Sequence, residues 1–465
     1  MRRRWAVSCA LWLAAAGAFC AEPADWVVSA RWVLTMDARR RLLEEGAVAV
    51  GGDRILAVGA RSEILARFRP RRRLDCPTCL LAPGLVNAHT HAPMSLLRGL
   101  ADDRRLREWL EQWIFPAEAR NVDAEFVRWG TRLACLEMML SGVTTYAEMY
   151  YFEDVVAEAT REAGLRGVLG ETIIGFPAPD ARTPEAALEF TERFIRRFRD
   201  DPLITPAVAP HAHDTTPEGV LRAARALANR YGVPLMTHLA ETRAGREETL
   251  ARHGLSPVRL LDSWGIFEGR TLAAHAVWVD EEDLAILRRR GVGLAHCPSS
   301  NAKLASGVAP VVRMLELGLA VGLGTDGPAG SNNDFNLFEE MDLAAKLQKV
   351  TSGNPAALPA RQAVEMATIG GAQALGLAHR IGSLEPGKRA DLITVRLDRP
   401  HAVPLYDAYS QMVYALKGCD VRDVMVNGRW VAREGRALTL EAERILGKAR
   451  EYGARVRASP AEAAR

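Results

Sequence analysis

Little in this chain pushes it toward a charged or a lipid-facing surface. Lysine and arginine number 60 against 57 aspartates and glutamates, a formal charge of +3, and Arg2, Arg3 and Arg4 account for that excess. A near-neutral remainder has no basic footprint for nucleic acid. The apolar run that starts at Trp5 is too short for a membrane span, so none is expected in the mature chain. Cysteine is scarce too. Of seven, Cys9 and Cys20 fall in or beside that first apolar run. Cys76, Cys79, Cys135, Cys297 and Cys419 remain, odd in number and too few for a disulfide framework. Cys76-Pro77-Thr78-Cys79 lacks the second pair that a structural zinc site needs, and is either a local disulfide or two thiols at a domain junction. Two signatures are missing altogether. No G-x-G-x-x-G opens a helix after the first strand, which argues against dinucleotide binding. No H-x-E with P-C-x-x-C occurs, which excludes the cytidine-deaminase type of zinc site.

What is present suits a soluble globular protein: 48% hydrophobic and 25% charged residues over 465 positions, enough for one large domain and a smaller companion. Residues 1–21 combine a basic start, an apolar stretch and the small residues Ala16-Gly17-Ala18. That layout predicts a secretory signal peptide and export to the periplasm, with an uncleaved anchor as the alternative.

Short strand-like segments fill residues 22–80, among them Trp26-Val27-Val28, Gly46 to Val50 and Ile55 to Val58, with Gly51-Gly52-Asp53 as a turn. The same texture returns over 385–436, in Ala390 to Val395 and Val421 to Val431, where Asn427-Gly428 signals a hairpin. The two ends are therefore expected to form one small β-sandwich. Over 81–384 apolar strands alternate with amphipathic helices. Eight strand candidates, Leu85–His91, Val143–Glu148, Gly167–Ile173, Ile204–Pro210, Val233–His238, Thr271–His275, Val292–His296 and Leu319–Thr325, predict an α/β fold of the (β/α)₈ barrel type. A doubly wound open sheet is the runner-up. Residues 437–465 read as a polar, helical tail.

Barrel strands converge their carboxyl ends on one site. His89 and His91 end the first strand, and alternate residues of a strand point the same way. His211 follows the fourth strand, His238 the fifth, His275 the sixth and Asp326 the eighth. Five of the ten histidines thus occupy strand ends, and imidazoles with a carboxylate are a metal-ligand set. Taken singly each is ordinary. Asp326 in Gly324-Thr325-Asp326-Gly327 would pass for a turn residue, and His275 for a core histidine. His296 and His379 are read as core residues, His253 and His401 as surface.

The segments PGLVNAHTHAPMSLLRGLADD, EWLEQWIFPAEA, GVTTYAEMY, APHAH, THLAET, AAHAVWVDEEDL, HCPSSNAKLASGVAPV and GTDGPAGSNNDFNLFEEM, followed by GSLEPGKRADLITV and MVNGRWV, give the chain its likeness. Over residues 26–432 it resembles the metal-dependent amidohydrolase superfamily, nearest the branch of 5′-methylthioadenosine/S-adenosylhomocysteine deaminases and s-triazine hydrolases. The resemblance implies that His89, His91, His238 and Asp326 hold one divalent ion per chain, zinc in most relatives, with iron also chemically suited. It implies that Asp326 takes a proton from the attacking water and that His275 steadies that water. Glu241, in His238-Leu239-Ala240-Glu241, would shuttle a proton to the ring nitrogen beside the attacked carbon. Chloride can leave without a proton, so Glu241 favours deamination over dechlorination. By the same likeness Glu118 holds ribose hydroxyls and His211 faces the substrate, while Trp109 walls an adenine or simply packs.

The expected partner is a small heterocyclic amine, an adenine-type nucleoside first. Another C–N or C–Cl bond (triazine, guanine or a cyclic amide) is the alternative, and a non-catalytic binding protein the second. Two departures stand out: Pro210-His211-Ala212-His213-Asp214 where relatives tend to read PHAPY, and no clear counterpart near Glu171–Arg182 of the arginine that holds a homocysteine carboxylate. Nothing in the sequence sets the oligomeric state, and a homo-oligomer is compatible with it.

Overall fold

The computed structural model describes residues 21–458; the expected leader lies outside the described residues. Four strands open the chain: β1 (Glu22–Leu34), β2 (Leu42–Gly51), β3 (Arg54–Ala60) and β4 (Phe68–Pro83). Eight parallel strands follow, β5 (Leu85–Thr90), β6 (Val143–Tyr150), β7 (Arg166–Ile173), β8 (Ile204–Pro210), β9 (Leu235–Leu239), β10 (Thr271–His275), β11 (Gly293–His296) and β12 (Val321–Leu323). They pair in sequence order with helices between them. The eight expected strands are all present, within a few residues at each end.

Closure of this barrel between β12 and β5 is mostly a side-chain matter. Thr90 and Asp326 form a parallel bridge, and the Asp326 N–H donates to the His89 carbonyl at 3.0 Å. Asn87 adds two bonds to Thr325, donating from Nδ2 to Oγ1 at 2.8 Å and accepting from the N–H at 3.0 Å. Gly324 makes the approach possible, because a Cβ there would lie 2.9 Å from the His89 Cβ. Small apolar side chains at alternate positions (Val86 and Ala88, Ala207 and Ala209, Leu272 and Ala274) fill the interior, as a packed barrel core requires.

Local sequence explains the surrounding helices. Asp123 accepts the Phe126 N–H at 2.7 Å to start the helix Ala124–Leu140. Asp280 and Asp283 make a capping box for Glu281–Arg290, which Gly291 ends in the left-handed region. The tail helix Ala442–Ala458 sets Tyr452 edge-on to Phe126 at 5.6 Å. No helix among the described residues is long and apolar enough to cross a membrane.

The chain ends meet as expected, in one continuous sheet rolled on itself. β13 (Leu392–Arg396), β14 (Val421–Val426), β15 (Arg429–Arg433) and β16 (Arg436–Ala437) join the first four strands in the order β16-β15-β14-β13-β4-β1-β2-β3. Trp26 of β1 meets Trp430 of β15 edge to face at 5.6 Å, although three strands separate theirs in the sheet. Cys76 and Cys79 are bonded to each other. They bracket a bulge in β4, where the pairing with β1 jumps from Ala30↔Cys76 to Trp32↔Leu80.

A buried ion pair ties the sheet to the barrel. Arg166 at the start of β7 lies 3.0 Å from Asp391, both about 2% exposed, and donates to the Pro202 carbonyl at 2.9 Å. Asp391 also accepts the Asn427 N–H at 2.7 Å. Asp391→Ala would strand a buried guanidinium, and equilibrium urea unfolding should show a loss of about 3–5 kcal/mol. A loss within error would mean that the pair contributes nothing to holding the two parts together.

Candidate metal and substrate site

The carboxyl ends of the barrel strands bring His89, His91, His211, His238, His275 and Asp326 to one place. Asp326 Oδ1 lies 3.5 Å from His89 Nε2 and 3.3 Å from His91 Nε2. His238 Nε2 lies 3.4 Å from His91 Nε2. The donor atoms of His89, His91 and Asp326 fall within 4.8 Å of one another, as do those of His89, His238 and His275. Four non-glycine residues here, Ala240, His275, Ala276 and Asp326, have positive φ. Such backbone costs roughly 1–3 kcal/mol per residue and persists where the surroundings impose it.

The far nitrogens of two imidazoles are already committed. His91 Nδ1–H donates to the Met149 carbonyl at 2.7 Å, and His238 Nδ1–H to the His211 carbonyl at 2.8 Å. In the neutral ring each Nε2 is therefore left with its lone pair facing inward. His89 Nε2 is buried without a hydrogen-bond partner. Inward lone pairs, an orphaned nitrogen and one carboxylate oxygen fit a divalent cation, with the outer partners such ligands need.

Electrostatics agree. Burial lowers the pKa of His89 and His238, and that of His275 to about 3, so these rings are neutral. His91 differs: burial lowers it, but the adjacent Asp326 outweighs that and raises it to about 9. Asp326 is pushed up by burial, yet the histidines around it hold it well below the usual carboxylate range. Its Oδ2 accepts the Ser300 hydroxyl at 2.6 Å, and Asn301 Nδ2 donates to His275 Nδ1 at 3.1 Å.

A cavity opens over this cluster. Glu241 lines it, with Oε2 3.7 Å from His275 Nε2 and Oε1 buried without a partner. Burial first, then the charges of Asp326 and Asp214, keep its carboxyl protonated well above the ordinary range. Glu118, on the helix Phe115–Asn121, accepts the Tyr150 hydroxyl at 2.6 Å. Burial raises it to about 7, with Tyr150 and His91 pulling the other way. Trp109 does two jobs: it lines the cavity, and its Nε1–H donates to the Ala329 carbonyl at 2.8 Å. His211 lines the cavity too, its Nδ1 2.7 Å from Thr215 Oγ1.

All nine singled-out residues line or adjoin one cavity. Among the other histidines, His296 is buried and His253 and His401 are exposed. His379, expected in the core, is exposed. Sequence reasoning missed Tyr150, Ser300, Asn301 and the carbonyls of Met149 and His211. A tyrosine at the end of GVTTYAEMY or a serine-asparagine pair in HCPSSNAKL carries no signal until the fold places it.

Residues 80–431 match the model of the amidohydrolase family. The chain belongs to that family. A 5-methylthioadenosine/S-adenosylhomocysteine deaminase of Syntrophobacter fumaroxidans is 48% identical over 427 residues, 92% of this amidohydrolase and 97% of that relative. An adenosine deaminase of Xanthomonas campestris, solved with bound zinc, superposes with a TM-score of 0.92 at 38% identity, over 94% of this chain and all of that one. An atrazine chlorohydrolase of Arthrobacter aurescens, solved with zinc, reaches 0.84 at 26% identity over 92% of this chain and all of its own. The nucleoside deaminases are the nearer likeness.

Proposed function

We propose that this amidohydrolase is a metal-dependent aminohydrolase of adenine-type nucleosides, replacing the exocyclic amine with water and releasing ammonia. The observation that carries the reading is Glu241: a buried carboxyl in the cavity, its pKa raised by burial, 3.7 Å from His275. Two relatives in the deaminase branch, at 48% and 38% identity, support it.

His89, His91, His238 and Asp326 are the residues that would hold the ion, with zinc as the ion we propose. Bound there, a divalent cation supplies Lewis-acid polarisation and lets a water lose its proton near neutral pH. The chain's own groups do the rest. Asp326 takes the proton of the attacking water, and neutral His275, held by Asn301, orients that water. Glu241 donates to the ring nitrogen next to the attacked carbon, which makes that carbon electrophilic. Asp326 passes the water's proton to the amine, which departs as ammonia, and the hydroxyl proton released as the carbonyl forms restores Glu241. Glu118 receives the ribose hydroxyls, while His211 and Trp109 bound the base.

Purified, zinc-loaded protein should release ammonia from adenosine and 5′-methylthioadenosine. Chloride from a chlorotriazine, with no ammonia from any adenine nucleoside, would reject this reading in favour of the dechlorinases. Glu118 adds a pH signature. A carboxyl near 7 is mostly protonated at pH 6 and mostly ionised at pH 8, and the ionised form is the stronger acceptor for hydroxyls. KM for the nucleoside should therefore fall as pH rises through about 7. Glu118→Gln should raise KM roughly tenfold or more and flatten that profile. An unchanged inflection in the variant would remove Glu118 from ribose binding.

A further inference from the structure

A carboxyl outside the cavity joins two parts of the site. Glu340, on the helix Leu337–Ser352, is fully buried and lies outside the cavity lining. Each of its oxygens accepts an N–H. Oε2 takes that of Ser299 at 3.1 Å, at the start of the short helix Pro298–Lys303 that follows β11. Oε1 takes one from Asn332 Nδ2 at 2.9 Å. Burial raises the pKa of this carboxyl to about 8, against the pull of Ser299 and Asn332 toward the ionised form.

Both bonds lead to groups that the chemistry needs. Ser299 is followed by Ser300, whose hydroxyl donates to Asp326 Oδ2 at 2.6 Å, and by Asn301, whose amide meets His275 Nδ1 at 3.1 Å. Asn332 Nδ2 also donates to the Thr325 carbonyl at 2.9 Å, and its backbone N–H to the Gly327 carbonyl at 2.9 Å. Those carbonyls flank Asp326, and the Gly327 N–H donates to Asp326 Oδ1 at 2.7 Å. Asp326 and His275 both hold positive φ, 63° and 74°, a backbone that persists only where its neighbours impose it.

We propose that Glu340 is a positioning residue that sets Asp326 and His275 together, through the turn Ser299–Asn301 on one oxygen and Asn332 on the other. This rests on the ion and on the roles proposed above for those two side chains. An amide is no substitute. In either orientation of a glutamine, an NH2 faces an N–H where an oxygen accepted one, and a buried donor is left unpaired. The segments carrying Ser300 and Asn332 then shift, and Asp326 and His275 with them. Glu340 touches no part of the cavity wall, so the surface that receives the nucleoside stays as it is.

The test sets the parent beside Glu340→Gln, Glu340→Asp and Glu339→Gln, the last an exposed neighbour on the same helix. Zinc affinity comes from competition with a chelator, and kcat and KM from ammonia release by the zinc-saturated protein acting on 5′-methylthioadenosine. Glu340→Gln should weaken zinc binding about tenfold or more and lower kcat about 10–100-fold, with KM within about threefold of the parent. Glu340→Asp keeps both acceptor oxygens and should recover part of each loss, while Glu339→Gln should match the parent. Because one path runs through Ser300, combining Glu340→Gln with Ser300→Ala should cost clearly less than the product of the two single losses. Losses that multiply would overturn the inference. So would a drop in urea stability with zinc affinity and kcat at the parent's values, which is what a packing role alone predicts. Should Glu340→Gln not fold, Asn332→Ala, which opens one arm and leaves Ser299 on the carboxyl, must show the zinc and kcat losses or the inference fails. A parent that binds no zinc overturns the metal reading and this inference with it. If the parent binds zinc but releases ammonia from no nucleoside, the deaminase reading alone falls, and zinc affinity still decides the role of Glu340.

Discussion

Glu241→Gln should lower kcat on an adenine nucleoside by about 10²–10⁴-fold, the span associated with a positioned general acid, without emptying the metal site. The side chain sits two residues past the end of β9, where Ala240 turns the backbone at φ 46°. One carboxyl oxygen lies near His275, and the other has no partner within the protein. Because burial already keeps this carboxyl protonated, glutamine conserves both shape and charge. Folding and metal content should therefore match the parent, and the loss should fall on proton transfer alone. A substrate with chloride in place of the amine should suffer less, since chloride leaves without a proton. Steady-state kinetics beside elemental analysis measures both. Turnover within a few-fold of the parent would assign the proton to another group.

Asp326→Asn should cost the ion itself. Asparagine tolerates the left-handed backbone (φ 63°) that Asp326 adopts, so the turn after β12 survives. What goes is the one negative charge among three imidazoles, and an amide oxygen is a poor substitute for it. After dialysis the variant should hold less than about a tenth of the metal of the parent. Turnover should fall more than about 10²-fold, beyond the 10–100-fold typical of an outer partner. Ser300→Ala, which removes only a hydrogen bond to Asp326, should fall within that smaller range. Full metal content in Asp326→Asn would mean that the carboxylate is no ligand.

The barrel was legible because its strands are short apolar runs set between turn residues and amphipathic helices, a pattern that repeats eight times. Two segments hid themselves. β4 spans Phe68–Pro83 and carries Arg69, Arg71, Arg72 and Arg73 with three prolines, a composition that argues against a strand. Pairing with β1 on one side and β13 on the other overrides it. Between Ala92 and Asn121 the chain makes a 3₁₀ segment (Ala92–Leu97), a π-helical one (Trp109–Ile114) and a helix (Phe115–Asn121). Period 3.6 does not describe such a segment, and its form is imposed by the cavity it covers.

By itself the sequence determined which side chains could bind an ion, because ligands at strand ends follow from the period of a strand and the direction of a barrel. It determined, through a carboxyl three residues past His238, that an acid stands beside them. Only the tertiary structure decided how those groups behave: which ring nitrogen carries the proton, set by the Met149 and His211 carbonyls, and how far Glu241 is desolvated. These are properties of distance and burial between segments remote in the chain, and no local pattern encodes them.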